Sequence, residues 1–137
     1  MELNKYRMWF YAAALYNFVW GTINVLLPTL LWDTLGLEQP SYLPLWQVVG
    51  MFVLVYAPAY YWAGRHPEKY GLFIVVGLLG KLFGPIGFVY SALTGQFPLL
   101  FGVTIITNDL IWWIPFALYL REIAKMKGGW MPFLLGD

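Results

Sequence analysis

The 137-residue sequence is long enough for a single domain and is unusually apolar, with 61% hydrophobic, 20% aromatic and only 11% charged residues. A soluble domain carries roughly 25% charged residues, so we expect one transmembrane domain covering residues 1–137. The chain has no cysteine, which excludes disulfides, thiol catalysis and cysteine-ligated metals, and its single histidine, His66, argues against a metal or haem site. The net charge of +1 gives no indication of a nucleic-acid partner, and no cofactor is expected.

Four apolar segments are long enough to cross a hydrocarbon core, which takes about 20 residues. Pro28 predicts an early end of the first segment and a short interfacial helix, PTLLWDTLGL, after it. The first segment contains Asn17 and lacks a small-residue cleavage site, so we expect a retained helix and not a signal peptide. The predicted fold class is all-α, a polytopic antiparallel bundle of four transmembrane helices. The spans cover residues 8–31, 44–64, 70–93 and 98–120, and a short apolar tail, residues 128–137, is expected on the membrane surface or against a partner.

The basic residues outside the spans predict the orientation of the chain. They precede the first span, join the second to the third and follow the fourth, whereas the connections WDTLGLEQPS and TGQF contain none. Because lysine and arginine accumulate in cytoplasmic loops, both termini are expected in the cytoplasm. The seven cations are Lys5, Arg7, Arg65, Lys69, Arg121, Lys125 and Lys127.

Two charged residues fall inside the predicted spans. Lys81, in the stretch GLLGKLFGPIGF, is the only cation in a span, and Asp109 is the only anion. At the rise of an α-helix each lies about 15 to 18 Å from either end of its own span, near the membrane midplane. A lone charge there costs on the order of 3 kcal/mol on insertion scales. The sequence therefore predicts an ion pair between Lys81 and Asp109.

Amide side chains are predicted at the depth of Lys81 and Asp109 or nearer the outside of the membrane. Asn17 and Asn24 share one face of the first helix, with Asn17 near the midplane and Asn24 about two turns farther out, and Asn108 precedes Asp109. These groups define a polar stripe that predicts a blind pocket open to the outside. The alternative is that the three amides only form hydrogen bonds between helices.

Proline, glycine and tryptophan residues add to this pattern. Pro85 has no N–H to donate to the carbonyl of Lys81, four residues earlier, and backbone freed at membrane depth needs another partner. Trp20 and Trp112 are expected mainly to pack, although an aromatic ring beside a buried cation can supply a cation–π contact. A stripe of small residues is expected to allow close packing of another helix; its members are Gly80, Gly84, Gly87 and Ser91.

With the blocks LYNFVWGTINVLLP, LWQVVGMF, GKLFGPIGF and TNDLIWWIPF, the chain resembles a group of small bacterial four-helix membrane proteins over nearly its whole length. The resemblance implies a multi-pass protein of the bacterial inner membrane but no mechanism. More distantly, the topology is similar to DoxX-like and EXPERA-type four-helix proteins, some of which bind or isomerise sterols. No catalytic residue can be carried across from them. A peroxide-reductase activity would need a cysteine that this chain lacks.

These observations lead to three hypotheses. The first is a membrane protein whose midplane Lys–Asp pocket binds, and could transport or sense, a small amphipathic or anionic ligand. The second is a non-catalytic subunit of a larger membrane complex or homo-oligomer, and the third is an enzyme acting on a lipid-soluble substrate, which we rank lowest. The predicted ligand-binding residues are Lys81, Asp109, Asn17, Asn24, Asn108, Trp20 and Trp112.

Overall fold

A computed structural model describes residues 2–136, and every regular element in that part of the chain is helical. The predicted all-α class is therefore confirmed. A 3-10 turn, Glu2–Tyr6, precedes the first helix, and a second, Leu99–Phe101, precedes α5. The α-helices are α1 (Arg7–Leu26), α2 (Leu30–Leu35), α3 (Leu43–Arg65), α4 (Gly71–Leu93), α5 (Gly102–Ile105), α6 (Ile111–Met126) and α7 (Trp130–Leu135), with a π-helical segment, Ile106–Leu110, between α5 and α6.

Three helical stretches are long and apolar enough to cross a membrane: Leu43–Arg65, Gly71–Leu93 and Leu99–Met126. They correspond to the second, third and fourth predicted spans, and the last continues six residues beyond its predicted end. The first predicted span is shorter than expected, since α1 ends at Leu26 and a new short helix follows Pro28. The length and composition of these helices are those of a membrane protein.

The helices pack mainly in two pairs, α1 with α3 and α4 with α6. In the first pair, Gly21 and Gly50 bring the two backbones into contact. A β-carbon on Gly21 would lie 2.7 Å from the backbone nitrogen of Leu54 and 2.8 Å from the carbonyl oxygen of Gly50. Small residues allow this approach in a membrane, where packing replaces the hydrophobic effect between helices. The tight contact within each pair leaves space between the pairs.

Aromatic residues fill both ends of the molecule. At the end that holds the N-terminus, the ring of Phe10 packs edge-on against Tyr119 at 4.7 Å and against Phe116 at 5.6 Å. At the opposite end, Trp32 of the short helix α2 stacks on Phe101 with ring centres 5.2 Å apart. These contacts connect α1 with α6, and α2 with the start of the last long helical stretch.

The N-terminal turn and the tail both dock at the first of these ends. The ammonium of Lys5 lies 2.7 Å from the Glu122 carboxylate, which raises the pKa of Lys5 through their hydrogen bond. Phe133 of α7 is buried, and its ring occupies the space beside Gly71, where a β-carbon would lie 2.8 Å away. The tail therefore docks on its own chain through Phe133, while Trp130 and Met131 stay exposed.

We predict that Gly21→Ala lowers the free energy of unfolding by about 1–3 kcal/mol, because the added methyl group meets backbone atoms that cannot move aside. Gly87→Ala is the matched control, since nothing lies within 4 Å of a β-carbon there. Thermal unfolding of both variants in the same detergent checks the prediction. Equal stability of the two variants would contradict the close contact between α1 and α3.

Candidate functional site

The π-helical segment Ile106–Leu110 sets the geometry of the site. Its hydrogen bonds span five residues, as from the N–H of Ile111 to the carbonyl of Ile106. Such a segment interrupts the regular helical ladder and is frequent at functional sites. Two of its carbonyls accept side-chain donors: Thr107 from the indole of Trp112 at 3.0 Å, and Asn108 from the ammonium of Lys81 at 2.6 Å. The segment therefore presents backbone acceptors at membrane depth.

Lys81 is held by a backbone carbonyl and two aromatic rings. Its side chain is 5% exposed, and its nitrogen lies 5.7 Å from the ring centre of Tyr60 and 5.6 Å from that of Trp112. Within residues 2–136 the salt bridges are Lys5–Glu122 and His66–Glu68, so Lys81 and Asp109 form no direct ion pair. The predicted pair differs from the structure because the π segment turns the Asn108 carbonyl, and not the neighbouring carboxylate, onto the ammonium.

The carbonyl of Lys81 has a partner from the opposite helix. Pro85 cannot donate to it, and the indole N–H of Trp113 does so at 2.8 Å. The freed carbonyl predicted from the sequence is thus satisfied by α6. Lys81 donates to the π segment and accepts from α6, so both its side chain and its backbone join α4 to the last long helical stretch.

Asp109 lies against the backbone of α4. It is 4% exposed, and its Oδ1 accepts a hydrogen bond from the amide of Asn108 at 3.3 Å. A β-carbon on Gly84 would lie 2.7 Å from Oδ2 of Asp109. The carboxylate therefore occupies the space that the missing side chain of Gly84 leaves, and Lys81 and Asp109 line one cavity without touching.

This polar cavity has a volume of about 130 Å³ and lies between the two helix pairs. Its wall includes Asn17, Tyr60, Lys81, Asn108 and Asp109. Asn17 is 3% exposed, and its Nδ2 donates to the carbonyl of Val53 at 3.0 Å, which joins α1 to α3. A space of this size exceeds what one water molecule requires. The structure thus brings four of the predicted polar residues to one cavity.

A second, aromatic cavity of about 280 Å³ adjoins the first. Gly80, Asn108 and Asp109 line both cavities, and the second extends to Phe97 and Phe101, beyond the C-terminal end of α4. The four-residue glycine and serine stripe lines this cavity. Within this chain only Gly84 of the stripe meets another helical segment closely, at Asp109, whereas nothing lies within 4 Å of a β-carbon built on Gly80 or Gly87.

Of the remaining predicted residues, one lines a cavity and two only contact other residues of the protein. Trp20 lines the aromatic cavity, whereas Trp112 packs against Lys81 and lines neither cavity. Asn24, 2% exposed, also lies outside both: it accepts from the indole of Trp46 at 2.9 Å and donates to the carbonyl of Trp20 at 2.8 Å. Asn24 therefore follows the alternative interpretation, a hydrogen bond between helices, because both of its polar groups are used by the protein.

Sequence reasoning missed the contribution of α3. Tyr56 and Tyr60 line the polar cavity and Trp46 the aromatic one. The spacing of four residues between the two tyrosines places them on one helical face, which was the available signal. Aromatic residues are so common in this chain, at 20%, that this spacing alone did not separate them from lipid-facing positions.

No family model matches the chain, and no curated protein and no solved structure gives a significant match. The site is therefore interpreted from its own geometry.

We predict that Trp113→Phe lowers the free energy of unfolding by about 1–3 kcal/mol, because the Lys81 carbonyl, to which Pro85 cannot donate, loses the indole donor. In a Pro85→Ala background the loss should be much smaller, since position 85 then carries an N–H for that carbonyl. A double-mutant cycle measured by thermal unfolding checks this. Trp130→Phe, at a half-exposed indole of α7, is the control, and an unchanged cost of Trp113→Phe in both backgrounds would contradict the proposed role.

Proposed function

We propose that this protein is a small multi-pass membrane protein that binds a small amphipathic molecule in the two adjoining cavities. The observation that carries the proposal is their contrast in lining. Both include Asn108 and Asp109, but the first adds Lys81 and Asn17 beside two tyrosines, whereas the second adds five aromatic residues, Gly84 and Gly87. Ligand sites commonly combine an apolar wall with a few placed polar groups. A ligand with its polar head beside Asp109 and its apolar body beside Trp20 and Phe101 fits this pair of cavities.

Of the two ligand classes that the sequence leaves open, the amphipathic one has more support than the anionic one. The ammonium of Lys81 already donates one hydrogen bond to the Asn108 carbonyl and lies beside two aromatic rings. The carboxylate of Asp109 lines the same cavity and opposes a second negative charge. Buried ionisable residues in a membrane mark binding sites and pathways by default, which supports a functional role for both residues.

Native mass spectrometry of protein extracted gently from its own membranes should show a reproducible bound mass of lipid-like size. Lys81→Met and Asp109→Asn should weaken binding by roughly tenfold or more, since a hydrogen bond to a charged group contributes about 1.5–3 kcal/mol. Lys5→Met, the same substitution at an exposed cation, should leave binding unchanged.

A second variant blocks the aromatic cavity without removing a charge. Gly87→Leu fills open space beside Gly87 and should abolish the bound mass while the protein stays folded. A bound mass that persists in all three site variants would refute the proposal.

We further propose a four-span topology with both termini in the cytoplasm, in the bacterial inner membrane. The supporting observation is that the seven cations outside the predicted spans all fall on one side of a four-span chain. The short helix α2 after Leu26 fits an interfacial position, because it exposes the apolar Leu30 together with the polar Asp33 and Thr34.

Single cysteines test this topology, because the natural chain has none. A membrane-impermeant thiol reagent added to intact cells, or to spheroplasts where an outer membrane intervenes, should label Ser41→Cys and Gln96→Cys. Asn4→Cys, His66→Cys and Lys127→Cys should react only after lysis. Labelling of Asn4→Cys together with Ser41→Cys in intact cells would show that α1 does not cross the membrane.

An accessory role in a larger complex or homo-oligomer is the second candidate. The open space beside Gly80 and Gly87 is a surface that a helix of another subunit could fill. The same mass spectrum separates the two functions. A stoichiometric complex without any small-molecule mass would favour the accessory role over ligand binding.

A further inference from the structure

Two residues in the wall of the polar cavity each carry a buried acceptor without a partner. Oδ1 of Asn17 and Oδ1 of Asn108 form no hydrogen bond within residues 2–136. Their orientation follows from chemistry: Nδ2 of Asn17 faces the carbonyl of Val53, and Nδ2 of Asn108 faces the Asp109 carboxylate, and neither partner can donate. The Oδ1 atoms of both amides are therefore the atoms without a hydrogen-bond partner.

Unpartnered carbonyls in a membrane interior are costly, and native structures satisfy nearly all buried polar groups. Both amides line the same cavity as Asp109, so its wall is rich in acceptors. The matching donor is the ammonium of Lys81, which has three N–H groups and uses one on the Asn108 carbonyl. A group that donates to oxygen and can also accept from nitrogen is therefore complementary to this wall.

We infer that the ligand's polar head is a neutral hydroxyl, as in an alcohol or a phenol; this rests on the proposed function of the site. A hydroxyl donates one hydrogen bond and accepts two, which matches the amide oxygens on one side and Lys81 on the other. A cationic head is opposed by Lys81, and an anionic head by Asp109 and by the two carbonyl oxygens. The apolar body lies in the aromatic cavity, against Trp20, Trp46 and Phe101.

Binding of three matched probes to the purified full chain tests the head group: a short-chain 4-alkylphenol, the 4-alkylanisole that lacks only the donor, and the 4-alkylbenzoate. Ligand-detected NMR in one detergent, with partition into empty micelles subtracted, gives their relative affinities. The phenol should bind about tenfold tighter than the anisole, the difference expected when a polar ligand group loses its partners, and tighter than the benzoate.

Substitutions of the asparagines test which atoms accept the hydrogen bond of the hydroxyl. Asn17→Leu and Asn108→Leu should each reduce the preference for phenol over anisole toward one. Asn24→Leu is the matched control, an amide of α1 whose two groups are used within the protein and which lines neither cavity. It should keep the preference, whatever it does to stability, because the preference is a ratio measured on folded protein.

The possible results distinguish failure of this inference from failure of the proposed function on which it rests. If the benzoate binds tightest, or phenol and anisole bind equally, and Gly87→Leu abolishes that binding, the cavity is a ligand site and the hydroxyl head is refuted. If none of the probes binds in a way that Gly87→Leu abolishes, the proposed function fails together with the inference. A phenol preference that survives in both Asn17→Leu and Asn108→Leu overturns the assignment of the hydroxyl to the amide oxygens.

Discussion

The exchange of hydrogen bonds between Lys81 and the last long helical stretch is the constraint on which the rest of the site depends. The Lys81 side chain donates to the Asn108 carbonyl, and the Lys81 carbonyl accepts from Trp113. Each of these hydrogen bonds lies at a point where a helix is irregular. The π segment presents the Asn108 carbonyl, and Pro85 leaves the Lys81 carbonyl free. The two hydrogen bonds therefore join α4 to the last long helical stretch where both are irregular.

This arrangement keeps the two intramembrane charges near each other but apart. Lys81 and Asp109 form no direct ion pair within residues 2–136. Instead the ammonium rests on a carbonyl and two rings, and the carboxylate rests on the bare backbone of Gly84. The polar groups thus remain in the wall of a cavity.

Glycine has two different uses in this chain. Gly21 and Gly50 bring α1 and α3 together until backbone meets backbone. Gly80 and Gly87 lie in the same kind of small-residue spacing, yet no atom approaches them, and they form one wall of the aromatic cavity. The difference lies in the facing helix. α1 packs directly on α3, whereas bulky rings such as Phe88 and Phe101 hold the elements around the stripe apart.

The sequence by itself determined the all-helical class, three of the four predicted spans, the short helix after Pro28 and the burial of Lys81 and Asp109. Composition, proline chemistry and the cost of a charge in hydrocarbon are local properties, so they can be evaluated without the tertiary structure. Only the tertiary structure decided which atoms meet. The π segment shifts the register of Asn108 and Asp109, so Lys81 meets a carbonyl in place of the predicted carboxylate. The tertiary structure also places Asn17 in the cavity wall and Asn24 in a hydrogen bond between helices, although both lie on one face of α1. That choice depends on whether Val53 or Trp46 stands opposite, which residue spacing within one helix does not encode.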